Sequence, residues 1–131
     1  MKTKLFSLLS LFLLGTITIM AQSKTESFKV YGSCDMCETR IEKASLGVDG
    51  VTKSAWNKET MMLEISYNAE KTNTDEIQKA IAFVGHDTDK CKADDEVYNK
   101  LPNCCKYERT NTSSTKAPCK TPCKTKKSSC N

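Results

Sequence analysis

Histidine is almost missing from this chain: His86 is the only one among 131 residues. A lone imidazole leaves little room for hydrolase or oxygenase sites that gather several of them. Proline is scarce too, with none between Ala21 and Pro102, so no cis-proline strand can be built in that stretch. A basic body is also lacking. Residues 22–105 carry 11 Lys or Arg against 15 Asp or Glu, net −4, whereas residues 106–131 carry seven basic groups and one acidic, net +6. A nucleic-acid module would put its positive patch on the folded surface, so that partner class is set aside. Only one long apolar run occurs, Leu5 to Met20, and Ser7, Ser10, Gly15, Thr16 and Thr18 interrupt it. It falls short of the roughly 20 apolar residues that a membrane span needs.

What the chain has in excess is cysteine, eight in all. Sulfur chemistry therefore dominates: disulfides, metal binding, or both. Lys2 and Lys4 precede the apolar run, and Ile19-Met20-Ala21 ends it in a small residue before Gln22. Residues 1–21 thus read as a secretory signal peptide. The expected mature protein is periplasmic or secreted, has no stable membrane insertion after cleavage, and lives where disulfides form. At 110 residues (131 less 21) it is one domain.

Residues 22–92 read as alternating strands and helices. Ser27–Tyr31 is a first strand, with Phe28 and Val30 on one face. After Gly32-Ser33, residues Cys37, Ile41, Ala44 and Val48 fall on one stripe of a helix. Asp49-Gly50 turns the chain into a second strand, Val51–Trp56, and Asn57–Thr60 is polar enough for a hairpin loop. Met61, Leu63, Ile65 and Tyr67 then alternate as a half-buried strand does. Asn73 with Glu76 resembles a capping box. Ile77, Ala80, Ile81 and Val84 give the apolar face of a second helix that Gly85 ends. His86–Lys90 is short and polar, a weak edge strand at best. The order β-α-β-β-α-β predicts an α+β, ferredoxin-like sandwich, one antiparallel sheet with two helices on one face. A core this small needs help from metal or disulfides.

Cys34-Asp35-Met36-Cys37 sits between a strand end and a helix start. Unpaired backbone N–H groups there favour the thiolate, which is both metal ligand and redox nucleophile. Two soft sulfurs with few other ligands suit Cu(I); Zn(II) prefers a four-ligand tetrahedron. Met36 adds a thioether nearby, although a Met in a loop usually packs. The competing use of the pair is thiol–disulfide exchange. A thioredoxin-type site normally has Trp before the first Cys, often Gly-Pro inside the pair and a later cis-proline. This chain has Tyr31-Gly32-Ser33 before the pair and Asp-Met inside it. An oxidising compartment would still close the pair whenever metal is absent.

Val30-Tyr31-Gly32-Ser33-Cys34-Asp35-Met36-Cys37, then Ile41-Glu42-Lys43-Ala44 and Gly50-Val51, resembles the heavy-metal-associated domain family. Asp75–Gly85 is similar to that family's second helix. The family includes copper chaperones, metal-binding domains of copper-pumping ATPases and the periplasmic mercury-binding protein. The resemblance covers roughly residues 25–91. It implies a βαββαβ fold that binds a soft cation through Cys34 and Cys37. The family usually reads Gly-Met-x-Cys-x-x-Cys, with the Met packed beneath the loop; Gly32-Ser33-Cys34 is one residue shorter and lacks that Met.

The topology puts His86 at the same end as Cys34 and Cys37, where it would be a third ligand or a partner behind the ligands. Residues 93–107 form a Cys-containing extension. Asp94–Leu101 has helical spacing at Val97, Tyr98 and Leu101, and Pro102-Asn103 then turns the chain toward Cys104-Cys105. Two roles are open to that pair. One of them staples the extension to Cys91, or both join Cys34 and Cys37 in a multi-thiolate cluster. Residues 108–131 are Lys-, Thr- and Ser-rich, with a near-repeat of Pro-Cys-Lys-Thr at residues 118–121 and 122–125, and are expected to be a disordered tail. Its thiols are expected to form disulfides or react adventitiously rather than to scavenge metal.

The resulting expectation is a domain at 22–92 that carries or buffers Cu(I) through Cys34 and Cys37, with Hg(II) and Zn(II) as the other candidate ions. His86, Cys104 and Cys105 are further candidate ligands. A metal-transporting ATPase or another thiolate acceptor is the expected partner, and no enzymatic activity is expected. The alternative is a thiol–disulfide oxidoreductase with Cys34 as nucleophile. A third reading is a disulfide-stapled module that binds another protein.

Overall fold

The third strand organises the sheet. β3 (Met62–Asn68) lies between β1 (Ser23–Lys29) and β2 (Val51–Asn57), antiparallel to both. Leu63 is level with Phe28 on one side and Trp56 on the other. Leu63, Ile65 and Tyr67 point inward and are buried, while the alternate positions Met62 and Glu64 are exposed and Ser66 is half-buried, which is the alternation the sequence predicts. Met61 is not in the strand: it turns the hairpin at φ +57°. The computed structural model describes residues 22–109 and Cys119. The expected signal segment and nearly all of the expected tail lie outside the described residues.

Two helices, α1 (Asp35–Leu46) and α2 (Thr74–Phe83), pack against each other, and α1 also packs on β2. α1 buries Cys37 and Ile41, two positions of its expected stripe, with Val48 buried just past its end. α2 starts where Asn73 Oδ1 accepts the Glu76 N–H at 3.0 Å. It ends before Gly85, whose φ of +102° is the left-handed conformation that glycine supplies at a helix C-terminus.

The fourth strand shrinks to a single antiparallel bridge between Val30 and Thr88, on the open edge of β1. The physical reason is local competition from acidic side chains. Asp89 Oδ2 takes the Lys29 N–H at 2.9 Å, and Asp87 Oδ1 takes the Ala93 N–H at 2.7 Å. The chain nevertheless runs where the last strand of a βαββαβ fold belongs, so the α+β, ferredoxin-like plan is present with a reduced edge.

The extension completes that edge. Its helix α3 (Asp95–Asn99) is shorter than the expected Asp94–Leu101, and Asp94 is its N-cap. Leu101 is buried against Gly85, where a Cβ would meet Leu101 Cδ2 at 3.0 Å. Pro102 opens a 3-10 turn, Asn103–Cys105. Tyr107 then plugs the domain. Its hydroxyl donates to the Gly85 carbonyl at 3.1 Å and accepts the Asp87 N–H at 2.8 Å. Arg109 closes the segment with two bonds to the Asp87 carboxylate, one to Asp95 and one to the Ala93 carbonyl, and its guanidinium lies over the Tyr98 ring.

The expected staple from Cys91 to Cys104 or Cys105 is wrong. Cys91 is bonded to Cys119, Cα to Cα 5.7 Å, and Cys104 and Cys105 are free thiols. The extension bends at Pro102 toward the Cys loop, so its cysteines face the sulfurs of Cys34 and Met36. No helix among the described residues is long and apolar enough to cross a membrane.

Candidate metal centre

Cys34 is the N-cap of α1, in extended conformation, and its carbonyl accepts the Cys37 and Glu38 N–H groups. The turn places the two sulfurs 3.3 Å apart, with Cys34 partly exposed and Cys37 buried. The Ser33 N–H donates to Cys37 Sγ at 3.4 Å. Beneath the loop lies Trp56, anchored by its indole N–H to the Val30 carbonyl at 3.1 Å. A Cβ on Gly32 would stand 3.0 Å from both Cys37 Cβ and the Trp56 ring. Glycine avoids that tight contact where the chain passes over the indole.

The 3-10 turn of the extension meets this loop. The Ser33 hydroxyl donates to the Cys104 carbonyl at 2.7 Å. Cys105 is fully buried, and its Sγ lies 3.4 Å from Cys34 Sγ. Cys104 is exposed, with its Sγ 3.6 Å from the thioether of Met36. The sulfurs of Cys34, Cys104 and Cys105 all lie within 4.8 Å of one another. Burial by itself would push the Cys34 thiol up, but hydrogen bonds from the thiols of Cys37 and Cys105 and from the Cys37 backbone outweigh it and hold Cys34 at about 7, down from 9.0. Burial, and then its bonds to Cys34 and Cys37, push the Cys105 thiol far up. The thiolate is thus favoured on Cys34 over Cys105.

His86 is at the expected end of the molecule but lies inside it, completely buried. Its Nδ1 is 2.9 Å from the Tyr31 carbonyl, an acceptor, so Nδ1 carries the proton and Nε2 is a bare lone pair with no hydrogen-bond partner among the described residues. Its link to the Cys loop runs through that carbonyl, three residues before Cys34. Burial lowers its pKa. Its ring stacks on Tyr107, centroids 5.9 Å apart, and Tyr107 stacks on Tyr31 at 6.1 Å.

Sequence reasoning missed Ser33, Trp56, Tyr107 and Arg109. Trp56 carried a usable signal, being the only Trp and on a strand. Tyr107 and Arg109 sit in a Lys- and Ser-rich context that masks them, although an aromatic and an Arg two residues apart are unusual in a solvated tail.

No family model matches the chain. It is 30% identical, over 84 residues, to the mercuric transport protein periplasmic component of Shewanella putrefaciens, covering 63% of this chain and 92% of that relative. Among solved structures, the water-soluble region of the P-type ATPase CopA from Bacillus subtilis matches with a TM-score of 0.50 and 30% identity, over 53% of this chain and 47% of that one. The CopZ metallochaperone is similar at a TM-score of 0.48 and 30% identity, over 50% of this chain and 98% of that one.

Proposed function

The chain belongs to the heavy-metal-associated domain family, and from that premise we propose that it is an exported soft-metal-binding protein, a Cu(I) carrier or buffer that holds the ion between Cys34 and Cys37. The observation that carries this reading is the paired thiols at the start of α1, 3.3 Å apart, with Cys34 held at about 7 and partly exposed. A partly ionised thiolate at the surface takes up a soft cation. The buried Cys37 sulfur then closes on it as its proton leaves to solvent. Transfer to a thiolate acceptor, such as a metal-transporting ATPase, is ligand exchange: the incoming thiolate adds before Cys34 lets go. Removal of residues 1–21 places the protein in the periplasm or outside the cell. No substrate bond is made or broken, so the protein is not an enzyme in this reading. Hg(II) is the next ion in order, and Zn(II) fits less well because two thiolates leave its preferred four-ligand tetrahedron unfilled.

The test is a Cu(I) titration of reduced residues 22–131 against a competing colorimetric chelator, with Hg(II) and Zn(II) for comparison. Tight one-to-one binding that vanishes in Cys34→Ser/Cys37→Ser supports the reading, and binding unchanged by the double substitution refutes it. The lowered Cys34 thiol also suits a thiol–disulfide oxidoreductase. Insulin reduction by the apo protein, lost in Cys34→Ser, would mark that activity.

A further inference from the structure

We propose that the Cys104-Cys105 turn is part of the metal site: Cys105 is the third thiolate to one soft ion bound by Cys34 and Cys37, and Cys104 is the exposed thiol through which that ion arrives and departs. The proposal rests on the reading of Cys34 and Cys37 as ligands.

Geometry argues for three sulfurs. A metal–thiolate bond of about 2.3 Å puts trigonal ligands roughly 4.0 Å apart and linear ones roughly 4.6 Å apart. The Cys34 sulfur is 3.3 Å from Cys37 and 3.4 Å from Cys105, and Cys34, Cys104 and Cys105 fall within 4.8 Å of one another. Trigonal binding therefore asks the Cys34–Cys37 and Cys34–Cys105 pairs each to open by about 0.6–0.7 Å. Linear binding by Cys34 and Cys37 asks for about 1.3 Å, nearly twice that opening, while a third thiol already stands against Cys34.

Depth argues for the division of labour. Cys37 and Cys105 are fully buried, Cys34 is partly exposed and Cys104 is exposed beside Met36. An ion meeting the soft rim of Cys104 and Met36 contacts Cys34 and Cys105 next, and Cys37 last.

The turn is also held in place before any ion arrives. Pro102 opens it, Leu101 is wedged on Gly85, Ser33 bonds the Cys104 carbonyl and Tyr107 is locked to Gly85 and Asp87. Such pre-arrangement is what a bare Cys-rich tail lacks. Each thiol that becomes a ligand releases one proton to solvent, and no electron moves. An ion with three protein thiolates resists removal, so the extension biases the protein toward holding the ion over handing it on.

The test uses residues 22–131 carrying Cys123→Ser/Cys130→Ser, which leaves the four thiols of the site as the only ones outside the Cys91–Cys119 disulfide. X-ray absorption at the copper edge of the one-to-one Cu(I) protein should show three sulfur neighbours. Cys105→Ser should show two, with affinity weaker by about 10–100-fold, at least what loss of an outer partner costs a metal site. Cys104→Ser should keep three sulfurs and slow the loss of Cu(I) to a chelator. Two sulfurs in the parent protein overturns the proposal with no variant needed, as does equal affinity with and without Cys105. Both results leave the Cys34–Cys37 reading standing. Failure of that reading is separate: no Cu(I) binding at all, or binding indifferent to Cys34→Ser/Cys37→Ser.

Discussion

Acid should weaken the fold through His86 over a defined window. The ring is fully buried, its Nδ1–H is spent on the Tyr31 carbonyl, and a proton added at Nε2 would find no acceptor among the described residues. Burial is the main cause that lowers its pKa below 6.5. The Tyr31 bond and Asp87 oppose the shift, and Arg40 adds to it. The sign follows directly. Below about pH 6.5 the unfolded chain binds a proton at His86 that the folded chain refuses, so stability falls as pH falls. One group gives at most about 1.4 kcal/mol per pH unit, hence at most about 2 kcal/mol between pH 6.5 and 5.0. His86 is the only histidine, so a variant that removes it isolates its contribution from that of every other titrating group. The assay is urea unfolding followed by Trp56, the only tryptophan and a buried one, at half-unit pH steps. The comparison protein is His86→Gln, which keeps an N–H for the Tyr31 carbonyl and does not titrate, while the Cys34 contribution is common to both. Wild type should lose stability down the window relative to the variant. Parallel pH profiles for the two proteins would refute the buried neutral imidazole.

Other consequences are checked more simply. Gly32→Ala forces a Cβ against Cys37 and Trp56, both at 3.0 Å, and should cost about 1–3 kcal/mol in urea unfolding while weakening Cu(I) binding. Arg109→Leu strips the Asp87 carboxylate of a two-bond partner in a site where both side chains are more than four-fifths buried; it should cost about 2–4 kcal/mol and expose residues 95–109 to limited proteolysis. Alkylation of Cys34 in the reduced apo protein should reach half its maximal rate near pH 7, against about 9 for the urea-unfolded chain; equal midpoints would contradict the thiol hydrogen bonds. Cys91→Ser/Cys119→Ser opens a loop of 28 residues and should lower stability by at most about 3–4 kcal/mol, read as a shifted urea midpoint.

The parts of this molecule that were legible in its sequence are those set by periodicity and local chemistry. The alternation of Leu63, Ile65 and Tyr67, the stripe of Cys37 and Ile41, the Asn73 cap and the Gly85 stop each express a short-range rule. The Cys34–Cys37 pair was legible for the same reason, because a helix start acts on its own first turn. What was not legible depends on pairing across distance. Asp87 and Asp89 read as polar strand residues, yet their carboxylates take backbone N–H groups and reduce the strand to one bridge. The partner of Cys91 could not be derived, because a disulfide depends on where two Cα atoms end up, and Cys119 lies 28 residues away.

The missed elements share one place in the fold, and that says what the extension is for. A reduced fourth strand leaves the edge of β1 open next to the Cys loop, the worst place for a small domain to fray. Tyr107, Arg109 and Leu101 cover the segment that replaces the strand, and the same chain direction delivers Cys104 and Cys105 to Cys34. Structural closure and sulfur delivery are thus one feature: the turn at Pro102 that brings Cys105 against Cys34 also leads the chain to Tyr107 and its bond to the Gly85 carbonyl. A chain cut before Leu101 would lose both together. Its Cys34–Cys37 loop would then sit on an uncovered edge, so removing the extension should loosen the fold and the grip on metal in parallel, whereas Cys105→Ser should loosen only the second.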